Sequence, residues 1–456
     1  MEDIKTIIDK QRNYFYKGET REISFRIKQL QKLDEVIRRH EPDILDALKE
    51  DLNKSEFEGY MTEIGMVYDE MRFMKRRLSG WAKPKRVRTP LANFKSVSRI
   101  YSEPYGVVLI ISPWNYPFML TMEPLIGAIA AGNCAVVKPS NYSLNVSSVI
   151  HAILKEAFDP SYITTVQGGR EANKNLLEEK FDYIFFTGSV AVGKVVMEAA
   201  SKHLTPVSLE LGGKSPCIVD ETADIRLAAK RIVWGKYLNA GQTCVAPDYL
   251  LVERKVKEEL LGWMKKYISR FYGETPHTNT EFPKIISEKH FKRLTDLIEK
   301  SDVAAGGRAN EPTRQIEPTI LDHVDWNSAV MAEEIFGPVL PVIEYDDLKE
   351  TVMEINRHPK PLALYFFTKS KENERYVLRN ASYGGGCIND TVVHLATSYM
   401  PFGGVGESGT GGYHGKASFD TFSHKKSVMN KSNRIDVPLR YPPYKNHIKL
   451  LKKVLR

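Results

Sequence analysis

The spacing of apolar and polar residues changes along the chain and divides it into regions of different predicted structure. Up to about residue 80, apolar side chains recur every third or fourth position among charged ones, for example in Ile23–Arg39 and in residues 60–78. This periodicity predicts helices with charged outer faces. From 107 to about 209, apolar runs such as Val107–Ile111 alternate with helical stretches every 20–25 residues, and the alternation resumes from 210 to about 400. That order predicts two successive α/β domains with parallel sheets.

Residues 81–104 interrupt this pattern. They contain Pro84, Pro90 and Pro104 among basic residues, and residues 96–101 alternate in polarity like an exposed strand. Such a strand has an edge that must be paired or blunted. The segment 421–428 is the candidate to pair with it.

Composition and charge narrow the class of protein. A chain of 456 residues exceeds the usual size of one hydrophobic core, so we expect two or three domains. The net charge of +8 is small for this length and is not concentrated in one stretch, which does not indicate a nucleic-acid partner. The N-terminus is charged and lacks the apolar core of a signal peptide. We also expect no transmembrane helix, because no apolar run approaches about 18 residues.

The cysteines carry the first chemical signal. Cys134, Cys217, Cys244 and Cys387 show no C-x-x-C spacing, so we expect neither a metal site nor a disulfide framework, and this usage fits a reducing cytoplasm. Cys244 follows residues 239–243, whose glycine and small polar side chains can bring backbone N–H groups to the sulfur and favour the thiolate. A thiolate attacks carbonyl carbon. The alternative is a buried cysteine that packs as a small hydrophobic residue.

Two polar side chains stand where apolar runs end. Asn115 follows Val107–Ile111 after an abrupt proline-containing turn, which places it at a strand's carboxyl end, where open α/β sheets bind ligands. Its amide can donate to an oxyanion. Glu210 follows residues 206–209 at a predicted strand end, beside two glycines, and partial desolvation there would raise its pKa and make it a general base. Taken singly, Asn115 fits a turn equally well, and Glu210 fits a surface position better.

Several segments are typical of nucleotide binding. Residues 135–140 predict a short strand that delivers Lys138 to the end of a sheet. Residues 183–189 predict a strand and a glycine turn, followed by Gly193 and a helix. A turn of this kind offers backbone N–H groups and a positive helix end to a pyrophosphate. The Gly188-x4-Gly193 spacing differs from the G-x-G-x-x-G fingerprint, so this signal is weak alone.

Together these segments resemble the aldehyde dehydrogenase superfamily. The stretches that carry the resemblance occur in that family's order, and they are 113–117, 137–140, 186–189, 210–214, 241–244 and 333–338. The end of the chain resembles the class 3 branch, through residues 401–406, 408–409, 413–416, 418–424 and 440–444. The resemblance covers nearly the whole chain.

The resemblance implies the aldehyde dehydrogenase fold. This is an α/β fold with a Rossmann-like cofactor domain, a second α/β catalytic domain and a β-hairpin that joins a partner subunit. Carried onto this chain, the cofactor domain comprises 1–82 and 107–209, and the catalytic domain comprises 210–411. The oligomerisation element comprises 83–106 and 412–432, and 433–456 form a C-terminal tail. Because class 3 relatives are dimers, we expect a homodimer, with the active site in the cleft between the two domains.

The resemblance also implies oxidation of an aldehyde to a carboxylic acid with NAD(P)⁺, in the cytoplasm. It assigns Cys244 as the nucleophile that forms a thiohemiacetal and then a thioester. Asn115 and the Cys244 N–H form the oxyanion hole, and Glu210 activates the deacylating water. Lys138 contacts the adenosine ribose, the glycine turn follows the pyrophosphate, and Glu334 holds the nicotinamide ribose. The full cofactor set is Lys138, Ser140, Asn141, Gly188, Ser189, Gly193, Glu334 and Phe336.

Two other functions stay open at this point. Some relatives transfer the acyl group to coenzyme A instead of water, but a positioned base at Glu210 favours water. A structural protein on the same fold would need no chemistry. Such a protein would be free to lose Cys244 or Glu210, and both are present.

Two residues depart from the family's pattern. The family usually has a glutamate three residues after the Lys138 position, and here that residue is Asn141. A neutral amide removes a charge that would repel a 2′-phosphate, so we expect NAD as the cofactor with NADP also accepted. Glu407 stands where a neutral residue is common, and the sequence offers no physical account of it.

The substrate and the C-terminal tail are less well specified. Tyr116 and Trp234 are candidates for an aromatic wall beside an aldehyde, although ordinary packing explains Trp234 equally well.

Residues 445–456 are basic and amphipathic, with Ile448, Leu451 and Leu455 on one helical face. We expect this tail to cover a substrate mouth, its own or a partner's. Peripheral membrane contact is the less favoured alternative, because about twelve residues bind membranes weakly without a second signal.

Overall fold

Helices and strands alternate through most of the chain in this computed structural model, which describes residues 3–436, 438–444 and 447–454. The helices are α1 Ile4–Tyr16, α2 Ile23–Arg39, α3 Glu41–Leu52, α4 Glu56–Gly59, α5 Gly65–Trp81, α6 Met119–Ala131, α7 Leu144–Ala157, α8 Arg170–Glu178, α9 Val190–Ser201, α10 Ile225–Tyr237, α11 Lys257–Tyr272, α12 Glu288–Glu299, α13 Leu348–Arg357, α14 Lys371–Asn380, α15 Gly415–Thr421 and α16 Ile448–Val454. The strands are β1 Lys85–Val87, β2 Ser96–Pro104, β3 Val107–Ile111, β4 Cys134–Lys138, β5 Ile163–Thr165, β6 Tyr183–Thr187, β7 Val207–Glu210, β8 Pro216–Val219, β9 Tyr249–Glu253, β10 Asp302–Ala305, β11 Ala309–Asn310, β12 Gln315–Ile316, β13 Thr319–Asp322, β14 Val339–Tyr345, β15 Ala363–Phe367, β16 Gly385–Ile388, β17 Gly409–Thr410 and β18 Ser423–Lys431.

The first α/β sheet has the strand order β17-β7-β6-β3-β4-β5. Its neighbouring strands are parallel except for β17, which runs antiparallel to β7. Every residue of β3 and β4 is buried, as expected for continuous apolar strands in a parallel sheet. The chain leaves β3 toward β4 and β5 on one side, and β6 and β7 lie on the other. A topological switch point, where such sheets bind ligands, therefore lies at the carboxyl ends of β3 and β6.

Among the N-terminal helices, α1 contacts β3 and β4 directly, whereas α2 and α5 pack on α6, which in turn contacts β3 and β4. All residues of α6 are buried, and all but Thr121 and Glu123 are apolar or glycine, as expected for a helix in the core. The predicted helix at 23–39 is observed as α2. The one predicted at 60–78 starts with a turn of π-helix, Tyr60–Ile64, and continues as α5.

The second α/β sheet has the strand order β10-β13-β14-β9-β8-β15-β16. Its strands are parallel apart from β10, which is antiparallel to β13. The prediction of two successive α/β units with parallel sheets is thus confirmed. The chain then returns to the first sheet, where Gly409 of β17 pairs with Glu210 of β7, although the predicted partition places residue 409 in the catalytic domain.

The third sheet has the order β1-β2-β18 and is antiparallel. β18 pairs with β2 from Ser423↔Pro104 to Lys431↔Ser96, which confirms the predicted partner of the alternating strand. β2 is the central strand, so β1 and β18 cover both of its edges. β18 has one open edge, and most of its side chains are exposed.

The C-terminal helix α16 leaves Ile448 and Leu451 exposed, and the third predicted apolar residue, Leu455, lies outside the described residues. Among the helices that the structure describes, none combines the length and the apolar character needed to span a bilayer.

Candidate active site

The segment between α10 and Cys244 forms a strained turn. Asn239, Ala240 and Gly241 all have left-handed backbone conformations, with φ of 52°, 51° and 71°. Residues other than glycine rarely adopt this region, and consecutive examples are exceptional. Gly241 is required here, because a Cβ atom at this position would lie 2.2 Å from the carbonyl oxygen of Gly337.

The side chain of Gln242 fixes this turn from the inside. Its Nε2 donates to the carbonyl oxygens of Asn239, at 3.1 Å, and Lys284, at 3.0 Å. Its Oε1 accepts from the backbone N–H of Ile286 at 3.0 Å. Gln242 is fully buried, so these bonds satisfy a side chain that would otherwise be costly to bury. The turn is therefore held before any ligand binds.

Asn115 reaches this turn from the other sheet. Its Nδ2 donates to the carbonyl oxygen of Gln242 at 3.0 Å, two residues before Cys244. Next to it, the hydroxyls of Tyr116 and Thr243 hydrogen-bond at 2.6 Å. The loop after β3 and the loop before Cys244 are thus joined by side chains at adjacent positions.

The Cys244 thiol is half-buried, and its pKa is raised to about 12. Burial is the main cause, and the nearby carboxylates of Glu334 and Glu210 add to it. The backbone N–H groups of Cys244 and Val245 act in the opposite direction. The expected N–H contacts are therefore present and favour the thiolate, but desolvation and the two carboxylates outweigh them, so the net pKa is raised.

Glu210 ends β7 and is almost fully buried. Neither of its carboxylate oxygens has a hydrogen-bond partner among the described residues. Burial raises its pKa well above the usual range for a carboxyl group. This agrees with the expected desolvation.

Cys244 opens into an apolar cavity of about 220 Å³. Tyr116 and Trp234, the two aromatic residues singled out in the sequence, both line it. Met119, Leu120 and Phe402 contribute further apolar surface.

On the other side of the site, Lys138 and Asn141 flank the end of β4. Lys138 is buried, its Nζ donates to the carbonyl oxygen of Pro139 at 2.8 Å, and burial lowers its pKa to about 8. The Ser140 hydroxyl accepts from the backbone N–H of Tyr142 at 3.2 Å. Asn141 is exposed at the same end of the sheet.

The glycine turn after β6 leads directly into α9. Ser189 caps the helix by accepting from the backbone N–H of Val192 at 3.4 Å. Gly193 lies in the first turn, where a Cβ atom would come within 2.7 Å of Leu211. Gly188 is similarly close to the ring of Phe186. The exposed N–H groups and the positive end of α9 suit an anion.

Glu334 lies between the two halves of the site. A Cβ atom on Gly212 would come within 2.1 Å of its carboxylate, and burial raises its pKa to about 8, opposed by the N–H of Gly213. Phe336 stands edge-on to Trp114, with ring centres 5.4 Å apart. Glu407, whose role the sequence leaves unexplained, is exposed beside a cavity of about 260 Å³ that Gly212 and Glu334 also line.

Several residues of this site have no local signal in the sequence. Lys54, Glu58 and Glu63 contact the loops that carry Asn115 and Cys244, yet their spacing is that of an ordinary helix with charged positions. In the sequence, Gln242 and Thr243 are distinguished only as polar neighbours of Cys244.

Comparisons with known proteins agree with this geometry. Residues 1–428 match the model of the aldehyde dehydrogenase family. The chain is 50% identical over 441 residues to 4,4′-diaponeurosporen-aldehyde dehydrogenase of Staphylococcus aureus, covering 96% of each chain. It is 44% identical to the mouse dimeric NADP-preferring aldehyde dehydrogenase, covering 97% of this chain and 98% of that one. A substrate-bound structure of Staphylococcus aureus AldH superposes with a TM-score of 0.98, at 48% identity and 100% coverage of both chains.

The chain therefore belongs to the aldehyde dehydrogenase family. Several of its relatives are named as family 3 members, which confirms the predicted resemblance to the class 3 branch. It is an enzyme that oxidises aldehydes to carboxylic acids with NAD or NADP.

The raised pKa of Cys244 leads to the first prediction. In the cofactor-free protein, alkylation of Cys244 by iodoacetamide should accelerate about tenfold per pH unit between about pH 7 and 10, because only the thiolate reacts and its pKa of about 12 lies above that range. Glu334→Gln should speed the reaction at about pH 9, because an ionised Glu334 raises the thiol pKa. Mass spectrometry of the labelled peptide measures the rate, and Cys244→Ala gives the background. A plateau below about pH 8 would contradict the raised pKa.

Proposed function

We propose that Cys244 is the nucleophile, that Asn115 and the Cys244 N–H form the oxyanion hole, and that Glu210 activates the deacylating water. The hydrogen bond from the Asn115 amide to the Gln242 carbonyl oxygen carries this proposal. This hydrogen bond joins the loop that carries Asn115, after a strand of the first sheet, to the turn that leads to Cys244. Acyl chemistry requires an oxyanion donor close to the nucleophile. The unpaired, buried Glu210 carboxyl supplies a base of raised pKa beside them.

The residues present fit a dinucleotide. The turn after β6 leads into the N-terminus of α9, whose backbone N–H groups can bind a pyrophosphate, and the close contacts of Gly188 with Phe186 and of Gly193 with Leu211 leave no room for a side chain at either glycine. We propose that Lys138, Ser140 and Asn141 bind the adenosine ribose end and that Gly188, Ser189 and Gly193 follow the pyrophosphate. Glu334 and Phe336 then hold the nicotinamide ribose and ring. When bound, NAD(P)⁺ accepts the hydride that leaves the substrate carbon.

The protein side of the reaction follows from these placements. The Cys244 thiol gives its proton to water, its sulfur bonds to the aldehyde carbon, and the π electron pair of the C=O bond moves onto the oxygen. Asn115 Nδ2 and the Cys244 N–H donate to the resulting oxyanion, which stabilises the tetrahedral thiohemiacetal. After oxidation to the thioester, Glu210 takes a proton from water as the water oxygen attacks the acyl carbon. The C–S bond breaks, and the acid and the thiol are released.

The role of Glu210 gives the second prediction. Glu210→Gln should retain a burst of NAD(P)H from acylation but lower steady-state turnover by about 10²–10⁴-fold, because a general base contributes that much. Rapid mixing monitored at the nicotinamide absorbance measures both phases. Cys244→Ala is the matched control and should remove burst and turnover together. Turnover that strictly requires coenzyme A would show that water is not the acceptor.

We also propose that both cofactors are used. Asn141 is exposed beside Lys138 and carries no charge to repel a 2′-phosphate, and a relative is named as NADP-preferring.

Replacing Asn141 tests this third prediction. Asn141→Glu should raise the NAD⁺-to-NADP⁺ ratio of kcat/KM by about tenfold or more, because charge-assisted hydrogen bonds are worth about 1.5–3 kcal/mol against about 1 for neutral ones, and the new charge repels the phosphate. Asn141→Gln is the neutral control and should leave the ratio near that of the wild type. An unchanged ratio in Asn141→Glu would mean that the side chain at 141 does not face the ribose.

The apolar cavity supports medium- or long-chain aliphatic and aromatic aldehydes as substrates. We expect kcat/KM for hexanal to exceed that for acetaldehyde by more than about tenfold, because each buried methylene contributes roughly 0.8 kcal/mol. Trp234→Ala should reduce the hexanal value more than the acetaldehyde value. Equal values for the two aldehydes in the wild type would argue against this substrate class.

Assembly is the last part of the proposal. We propose that 1–82 and 107–209 bind the cofactor, that 210–411 carry the nucleophile, and that 83–106 and 412–432 join a second copy in a homodimer. The exposed edge of β18 supports this assignment, as does a relative named as dimeric. All four cysteines are free, which supports a cytoplasmic location.

Sedimentation or light scattering at micromolar concentration tests the fifth prediction. The expected result is twice the chain mass, because an open strand edge stays monomeric only if it is blocked. A monomeric mass would refute the homodimer.

A further inference from the structure

Three charged side chains from one short segment contact the loop that carries Asn115 and the turn that leads to Cys244. They are Lys54, Glu58 and Glu63. We name them the clamp. The side chains of Lys54 and Glu63 are fully buried, with 0% exposure each, and pair at 2.6 Å. A buried ion pair stabilises a fold little compared with apolar side chains of similar volume. Its contacts therefore deserve a functional explanation.

Lys54 holds the loop that carries Asn115. Its Nζ donates to the carbonyl oxygen of Asn115 at 3.1 Å, as well as to Glu63. The same ammonium group lies 4.0 Å from the ring centre of Tyr116, within the range of a cation–π interaction. Lys54 thus contacts the proposed oxyanion residue and its neighbour together.

Glu63 holds the other end of the same loop. Its second oxygen accepts from the backbone N–H groups of Phe118, at 2.9 Å, and Met119, at 3.1 Å, where α6 begins. A carboxylate at a helix N-terminus satisfies N–H groups that have no partner within the helix. The loop is therefore fixed on both sides of Tyr116 by one ion pair.

Glu58 holds the turn that leads to Cys244. One oxygen of Glu58 accepts from the backbone N–H of Asn239 at 2.8 Å, at the first of the three left-handed residues. The Asn239 side chain donates in turn to the Asn115 carbonyl oxygen at 2.9 Å. The Asn115 carbonyl oxygen therefore accepts from the side chains of both Lys54 and Asn239, and Glu58 holds Asn239 through its backbone N–H.

The backbone of this segment is itself unusual. Residues Tyr60–Ile64 form a turn of π-helix, a feature that is often found at functional sites. Within this turn Met61 and Thr62 line the aldehyde cavity, while Glu63 is buried against the start of α6. One turn therefore supplies both cavity wall and clamp.

We infer that Lys54, Glu58 and Glu63 are positioning residues that set the Asn115 amide against the Cys244 sulfur for acylation. They act through the two loops and touch neither substrate nor sulfur. This inference rests on the proposed roles of Asn115 and Cys244.

A double-mutant cycle between Lys54 and Asn115 tests it. Lys54→Met keeps the side-chain length and removes the ammonium group. It should slow the NAD(P)H burst with hexanal by about ten- to hundredfold, because sub-ångström misplacement has effects of that size, while cofactor affinity stays within about twofold. In an Asn115→Ala background Lys54→Met should have less than about a twofold further effect, because Lys54 acts through Asn115. Independent, multiplicative losses would overturn the inference.

Glu58 offers a matched pair that does not depend on the ion pair. Glu58→Gln keeps a carbonyl oxygen for the Asn239 N–H and should acylate within about twofold of the wild type, whereas Glu58→Ala should be about tenfold slower. Equal rates for the two variants would overturn the role of Glu58. If Cys244→Ala were still active, the proposed function itself would fail. If Cys244→Ala were inactive and Lys54→Met acylated at the wild-type rate, only the clamp would fail.

Discussion

The active site depends on one junction, the hydrogen bond of 3.0 Å between the Asn115 amide and the Gln242 carbonyl oxygen. Asn115 follows a strand of the first sheet, and Gln242 belongs to the turn that leads to the second. The two residues that we propose as the oxyanion hole, Asn115 and Cys244, therefore come from loops of different sheets. The backbone strain at residues 239–241 can persist only because side chains on both sides of the junction hold it.

Burial controls the protonation of the ionisable side chains in the active site. Burial raises the pKa of Cys244, Glu210 and Glu334 together, so in the cofactor-free enzyme the Cys244 thiol is neutral near pH 7. Neutral groups cost less to bury than charged ones. In the proposed mechanism the thiol must therefore lose its proton before its sulfur attacks, and the raised pKa of Glu210 makes its ionised form a stronger base than an ordinary carboxylate.

The sequence predicts the two α/β units and the pairing of residues 421–428 with the alternating strand, because apolar periodicity and strand length are local properties. It also predicts that Asn115, Glu210 and the turn after β6 lie close together, since parallel strands end at a common edge. It does not predict the protonation of Cys244, which depends on carboxylates distant in sequence. Lys54 and Glu63 look like charged positions on a surface helix, and only tertiary packing shows that they are buried. The exposed edge at β18 likewise depends on which neighbour each strand finds.

The pairing of β17 with β7 affects when the first sheet can be completed during synthesis on the ribosome. Glu210 belongs to a strand whose neighbour, Gly409, is synthesised about two hundred residues later, and β2 waits still longer for β18. Contacts of such long range form late and slow the folding of a domain. Until the last part of the chain leaves the ribosome, β7 and β2 each have an unpaired edge of the kind that promotes aggregation. During synthesis, the residues of the active site are therefore present in the chain long before the sheets that position them are complete.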